Sequence, residues 1–409
     1  MKTKEELLKS KHFCILPFVH ACVWTNGRAI PCCINQQYQL GDTKTELLQD
    51  IYSPKNEKLK ALQKQMLTGP TLPRSCDRCS KPEESYDANS YRYFSNRQYG
   101  HLLNKLEFDS DDNLIENKIA LWDVRFSNLC NIKCRTCDST NSSKIAEEER
   151  KQTKINIPVL QKAFNEKSDF FEFFLKNLDN IEEIYFCGGE PLLLDEHYEI
   201  LDILVANKKF DTVLRYNTNC TKLTFKDKNV VDDYWPLFKN LRLSISLDAG
   251  WKQLELIRHG SVWDTVYNNL KHIRTSLPDA YIQLCPTIGI LNALHFSKVH
   301  LFLVREKIIY VNDVYYNILN FPEMYSITAL PNAIKDQIRD HWNDYAIELT
   351  DLGCNENLLI EVRKVIQYMY SEDNQMHVQE FIDESNKKDQ YRKENTIIIF
   401  PELREIYNE

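Results

Sequence analysis

Between residues 118 and 320 the chain alternates short apolar, β-branched runs with amphipathic runs at helical spacing. This alternation limits the fold more than any other feature. Six runs read as strands: "KIALWDVRFS" (118–127), "IEEIYF" (181–186), "TVLRYNT" (212–218), "LRLSISLD" (241–248), "YIQLCPTIGI" (281–290) and "IYVNDVYYNIL" (309–319). Helical spacing is predicted between them, over 158–178, 195–209, 228–241, 261–277 and 296–307. Alternation at this spacing predicts βαβ units around a parallel sheet. The strands are largely apolar, as parallel strands covered by helices must be. The predicted fold class is α/β, with the six units curled into a partial (β/α)6 TIM barrel. In such barrels the chemistry sits on loops at the C-terminal ends of the strands.

The flanks read differently. Residues 1–100 are cysteine-rich and irregular, with one helical stretch near 55–67. Residues 101–117 read as a linker that includes the acidic "EFDSDDNLIEN". The barrel is expected over 118–325, and 326–409 reads as a helical C-terminal extension. The chain has 409 residues, 43% of them hydrophobic, enough for more than one core. Its net charge of -8 gives no global attraction to nucleic acid or to an anionic membrane. Apolar runs such as Ile397–Phe400 are too short to span a bilayer. The N-terminus has no apolar core of a secretory signal. There are 13 cysteines, an odd number. A disulfide framework is therefore a poor reading, and a reducing, cytoplasmic setting with metal or redox chemistry is expected.

"FSNLCNIKCRTCDS" spans Phe126 to Ser139 and places Cys130, Cys134 and Cys137 directly after the first predicted strand. Three thiolates this close suit a metal or an iron–sulfur cluster. Structural zinc requires a fourth protein ligand, and none lies near in sequence. A cluster held by three cysteines keeps one iron open. Three buried cysteines packing as small hydrophobes are the bland alternative.

A C-x3-C-x2-C motif at this place resembles the radical SAM superfamily. The resemblance implies a [4Fe–4S] cluster on Cys130, Cys134 and Cys137 whose open iron binds S-adenosylmethionine (SAM). It also implies reductive cleavage of SAM to a 5′-deoxyadenosyl radical that abstracts hydrogen from a substrate. "IYFCGGEPLL" supports it: Gly188, Gly189, Glu190 and Pro191 match the superfamily's GGEP motif, which contacts the methionyl amino group. Two of only ten glycines stand side by side here. Weaker matches implicate Asn217, Ser246 and Asp248 near later strand ends, and Arg258 as a partner for the SAM carboxylate. One departure is Thr136, where relatives carry an aromatic residue that packs on adenine.

Residues Phe13–Glu83 carry Cys14, an Asn26–Gly27 turn between strand-like runs, the pair Cys32–Cys33 and the knuckle Cys76-x2-Cys79. By spacing alone this is compatible with a zinc ribbon. The order of features resembles the SPASM/Twitch module of radical SAM enzymes, placed here ahead of the core. That resemblance implies a second, auxiliary [4Fe–4S] cluster on Cys14, Cys32, Cys76 and Cys79, with Cys33 competing for the place of Cys32. Cys22, Cys187, Cys220, Cys285 and Cys354 read as packing residues, and the ten histidines show no metal spacing.

The family implies a radical SAM oxidoreductase or peptide-modifying enzyme. Its expected substrate is a peptide or protein side chain that becomes oxidised or crosslinked. A dehydrogenase or mutase acting on a sugar or aminoglycoside precursor is the alternative. An external electron donor such as flavodoxin or ferredoxin is expected as a partner. A non-catalytic metal-binding or electron-transfer protein would explain the cysteines but not Gly188–Pro191.

Overall fold

The computed structural model describes residues 3–86 and 90–407. The chain divides into two compact units. The first comprises Met1–Leu129, Asn156–Arg215 and Phe238–Asn240; the second comprises Cys130–Ile155, Tyr216–Leu237 and Leu241–Glu409.

The first unit is built on a mixed sheet. Strands β1 (His20–Val23), β2 (Arg28–Ile30) and β3 (Gly41–Asp42) form an antiparallel ribbon, with Cys22 opposite Ile30 and Ala29 opposite Gly41. The β1–β2 turn carries Gly27 at φ +92°, a conformation open to glycine, so the expected Asn26–Gly27 turn is present. β1 also pairs in parallel with β4 (Leu121–Val124), His20 opposite Leu121, and β4 pairs in parallel with β5 (Glu183–Phe186). The cysteine-rich N-terminal segment thus extends the parallel sheet rather than standing apart from it. Residues 1–100 hold more helix than the one stretch expected, including Glu57–Thr68, Asp77–Tyr86 and Tyr91–Tyr99. Residues 107–117 pack closely: Phe108 bridges Leu114, and Leu114 is buried.

Helix Lys167–Lys176 explains much of this unit's core. Its Phe170, Phe173 and Phe174 lie on one face and meet Trp122 at ring-centroid distances of 5.5, 5.6 and 5.2 Å. Phe170 also meets Phe126 at 4.7 Å. Trp122 lies within β4 and Phe126 just beyond its end, so this packing fixes the strand that leads into the cysteine loop. Phe170→Ala is expected to destabilise the protein by about 3–5 kcal/mol, the usual cost of an aromatic cavity, measured by denaturant unfolding.

Strand β6 (Val213–Thr218) begins in the first unit and ends in the second. Within the second unit Ser246 N–H donates to Thr218 C=O at 2.9 Å. β7 (Leu241–Ile245) pairs in parallel with β8 (Tyr281–Leu284). Helices Trp263–Ser276 and Phe296–Arg305 alternate with the strands as expected. The sixth strand is a correction. In place of a strand over 309–319 there is a bridge from Val314 to Leu284 and a two-residue strand, Asn317–Ile318. "VNDVYY" holds too many polar groups for a continuous covered strand. The helix expected over 228–241 is two short irregular turns, Val230–Tyr234 and Trp235–Leu237, because Pro236 lacks the N–H a helix needs. The C-terminal extension forms helices Asn332–Asp351, Glu356–Met369 and Val378–Arg392. The fold is mixed α/β with a parallel sheet core, a cysteine-rich N-terminal module and a helical C-terminal segment. No helix among the described residues is long and apolar enough to cross a membrane.

Candidate functional site

In the first unit, one cavity is lined by Cys14, Cys32, Cys76 and Cys79 together, with Ser75, Arg78, Tyr91 and Arg92 around them. These are the four sequence-predicted thiols, brought together from three separate segments. Cys14 precedes a short buried helical turn, Leu16–Val19. Cys32 follows β2. Cys76 and Cys79 stand at the start of helix Asp77–Tyr86. Cys33 is not on the cavity wall; its charged and polar surroundings are Asp123, Tyr91, Arg125 and Arg215. Arg92 braces the site by donating to Phe13 C=O at 2.7 Å and by pairing with Glu83.

Burial pushes the Cys14 thiol up to about 12, and nearby Cys76 and Cys79 add to the effect. Burial and then Cys79 push Cys76 up to about 11. Burial followed by Cys14 raises Cys32 well above the usual thiol value. Four thiolates here would repel one another, so their ionised form is favoured only around a cationic centre. Among the described residues, the group with three ligand atoms within 4.8 Å is His20, Cys22 and Asp123.

That trio is a second, unexpected finding in this unit. Cys22 and Cys187, read from sequence as packing residues, both donate to the buried Asp123, at 3.2 and 3.0 Å. Arg125 grips the same carboxylate with two N–H groups at 2.8 and 2.9 Å. Burial alone would raise this carboxyl, but Arg125 holds it down at about 2. A guanidinium already neutralises the carboxylate, so the group is a satisfied polar core rather than a metal site. Only Asp123 within "LWDV" signalled it, as a charge inside an apolar strand.

Gly188, Gly189, Glu190 and Pro191 follow β5 in the same unit. Gly188 and Gly189 have φ of +81° and +53°. A Cβ on Gly189 would lie 2.2 Å from Leu129 C=O, the same oxygen that accepts from Glu190 N–H at 2.7 Å. The two glycines let this turn lie against the backbone at the end of the β4 segment. Glu190 is buried, and its Oε1 accepts from Leu192 N–H at 3.3 Å, starting the turn Pro191–Leu193.

In the second unit, Cys130, Cys134 and Cys137 share one loop. Ser143 Oγ accepts from Cys130 N–H at 3.1 Å, and Cys137 N–H donates to Cys134 C=O at 3.2 Å. Lys133–Cys134 pairs antiparallel with Arg258–His259, setting Arg258 opposite Cys134. Arg258 Nη1 lies 3.6 Å from Cys134 Sγ, while its Nε donates to Asp248 Oδ2 at 2.8 Å. Asp248 Oδ1 accepts from Thr287 N–H at 2.8 Å. Asp248 therefore orients Arg258 beside the cysteine loop. Burial raises the Cys137 thiol, with Cys134 the next cause. Burial also raises Cys134, against the opposing pull of Arg258. Asn217 and Ser246 are half-buried at the strand ends. Sequence reading missed Asn131, Asn219 and Thr221: Asn219 donates to Asn131 Oδ1 at 3.1 Å, and Asn131 to Thr221 Oγ1 at 2.8 Å. Their signal was the run of polar residues around Asn217.

Comparison with known proteins matches a domain to each of the two cysteine-bearing regions. The family model described as Radical SAM superfamily matches residues 124–292, and that described as Iron-sulfur cluster-binding domain, SPASM, matches residues 14–80. No curated protein matches the chain. Among solved structures, "Native anSMEcpe with bound AdoMet and Cp18Cys peptide" is similar at 14% identity over 57% of this chain and 61% of that one, with a TM-score of 0.38. "Native anSMEcpe with bound AdoMet" stands at 15% over 57% and 60%, with a TM-score of 0.39. "Structure of TYW1 with a lysine-pyruvate adduct bound" stands at 13% over 66% and 80%, with a TM-score of 0.31. The matched region spans 61% and 60% of the first two chains. The matched domains imply a [4Fe–4S] cluster with SAM and an auxiliary iron–sulfur cluster. With the C-x3-C-x2-C loop, the GGEP turn and a four-thiol module ahead of them, the chain carries a radical SAM domain and, on its N-terminal side, a SPASM domain.

Proposed function

We propose that this enzyme cleaves SAM reductively and oxidises or crosslinks a peptide or protein side chain. In this reading Cys130, Cys134 and Cys137 hold the SAM-binding cluster. Gly188, Gly189, Glu190 and Pro191, with Asn217, Ser246, Asp248 and Arg258, make up the SAM-binding set. When bound, the reduced cluster and SAM supply a 5′-deoxyadenosyl radical that takes a hydrogen atom from the substrate. The chain's own groups bind and orient. Arg258, held by Asp248, presents its guanidinium to a carboxylate, and the GGEP turn offers close backbone approach.

The observation that carries the oxidative part is the four-thiol cavity. A cluster with four protein ligands has no open position, which suits electron transfer away from a substrate radical. Cys14, Cys32, Cys76 and Cys79 are its proposed ligands; the place of Cys32 on the cavity wall, with Cys33 beside Asp123 and Arg125 instead, supports Cys32 over Cys33. An external donor such as flavodoxin or ferredoxin supplies the priming electron. Cys32→Ala is expected to lower the iron content of reconstituted protein by about half, the loss of one of two clusters, while Cys33→Ala leaves it unchanged. The reverse pattern would make Cys33 the ligand.

The substrate class is tested by adding fractionated host extract to anaerobically reconstituted, reduced enzyme with SAM. Release of 5′-deoxyadenosine stimulated by the macromolecular fraction is the expected result. Stimulation by the small-molecule fraction alone would overturn the peptide reading in favour of a metabolite dehydrogenase or mutase.

A further inference from the structure

The Radical SAM match ends at residue 292, yet the C-terminal segment grips the cysteine loop within the second unit. Helix Val378–Arg392 supplies two donors to the loop backbone on either side of Cys134. Arg392 Nη1 donates to Lys133 C=O at 3.0 Å, and Lys388 Nζ to Arg135 C=O at 2.8 Å. Arg135 lies between the second and third cysteines, and its side chain is fully buried. It pairs with Asp389 and, at 2.7 Å, with Glu394, and donates to Thr396 Oγ1 at 3.1 Å. Glu394 also meets His259 Nδ1 at 2.6 Å, in the strand that pairs with Cys134. A second buried pair, Arg392 with Glu148 at 2.6 Å, ties in Lys133, whose Nζ reaches Glu148 at 2.8 Å.

We propose that residues 388–396 are a positioning clamp for the cysteine loop, fixing Cys134 and thereby the geometry and electrostatics of the cluster the loop holds. This rests on the ligand assignment made under Proposed function. The physical reason is that a buried guanidinium is tolerated only with its partners in place. Arg135 therefore cannot leave Asp389 and Glu394 without a large penalty, and Cys134 is held next to it. The ladder from 133 to 135 is held from both sides, by the Arg258–His259 strand and by the C-terminal helix. The loop cannot shift without breaking several charge-assisted hydrogen bonds at once.

The test uses the full-length, reconstituted protein. The double variant Asp389→Asn with Glu394→Gln keeps shape but removes both charges. It is expected to retain the auxiliary cluster's iron, to cut SAM cleavage about tenfold or more, and to shift the electron paramagnetic resonance spectrum of the reduced SAM-bound cluster. The charge-preserving pair Asp389→Glu with Glu394→Asp should recover much of the activity and the native spectrum, which bulk loss of stability would not explain. If the double variant fails to fold, Lys388→Met removes one grip while leaving the ion pairs, and should lower the rate with the same spectral shift. Wild-type rate and spectrum in whichever charge-removing or Lys388 variant folds would overturn the clamp. A wild-type loop that takes up no cluster would overturn the ligand assignment and the clamp together, an outcome told apart by iron analysis of the unaltered protein.

Discussion

Cys134→Ala abolishes SAM cleavage as the expected result, with 5′-deoxyadenosine at least about a thousandfold below wild type, on the order of 4 kcal/mol of barrier. The size of the effect follows from the site. Cys134 is the middle thiol of the loop, in register with Arg258 and 3.6 Å from its guanidinium. Under the proposed assignment its loss takes away a cluster ligand, and it leaves Arg258 beside a methyl group in place of the sulfur. Iron analysis of the same sample should give the loss of the loop cluster with the N-terminal cluster intact. Cys354→Ala, a change at a half-buried thiol after helix Asn332–Asp351, serves as control and should cleave SAM normally. Normal cleavage by Cys134→Ala would remove the loop from the reaction.

Gly189→Ala is expected to weaken SAM binding by about tenfold or more without changing the iron content. The added methyl would meet Leu129 C=O at 2.2 Å and the Asn128 carbonyl carbon at 2.9 Å, both backbone atoms that cannot rotate away. The left-handed φ of +53° costs an alanine roughly 1–2 kcal/mol besides. The turn must lift off the backbone, breaking the 2.7 Å hydrogen bond from Glu190 N–H to Leu129 C=O. Gly188→Ala is the milder comparison, since its Cβ would meet the Arg125 side chain at 2.9 Å rather than backbone. Equilibrium dialysis with labelled SAM measures both. Wild-type affinity in Gly189→Ala would mean that the GGEP turn does not hold the cofactor.

How much was legible from sequence differs from feature to feature. The loop thiols Cys130, Cys134 and Cys137 lie within eight residues, so their spacing alone placed them together. The glycine pair was legible for a similar local reason: a strand end followed by two glycines is a turn that approaches other backbone closely. The first five strands were legible as apolar runs. The sixth failed because short polar-interrupted runs carry little periodic signal, and neighbouring packing decides them. Asp248 was legible as a polar residue near a strand end. That it orients Arg258 and binds Thr287 N–H depends on a segment 39 residues away.

The loop cysteines, the GGEP turn and the alternating core were readable in the chain, because they rest on residues close together in sequence. Tertiary structure decided which of two adjacent thiols, Cys32 or Cys33, faces the four-cysteine cavity. It also decided that β1 joins β4 in one parallel sheet, and that Asp389 and Glu394 grip Arg135. Those contacts join residues roughly a hundred or more positions apart. Local propensity carries no record of such pairings; they arise when burial brings distant charges and strand edges to one place and each must find a partner there.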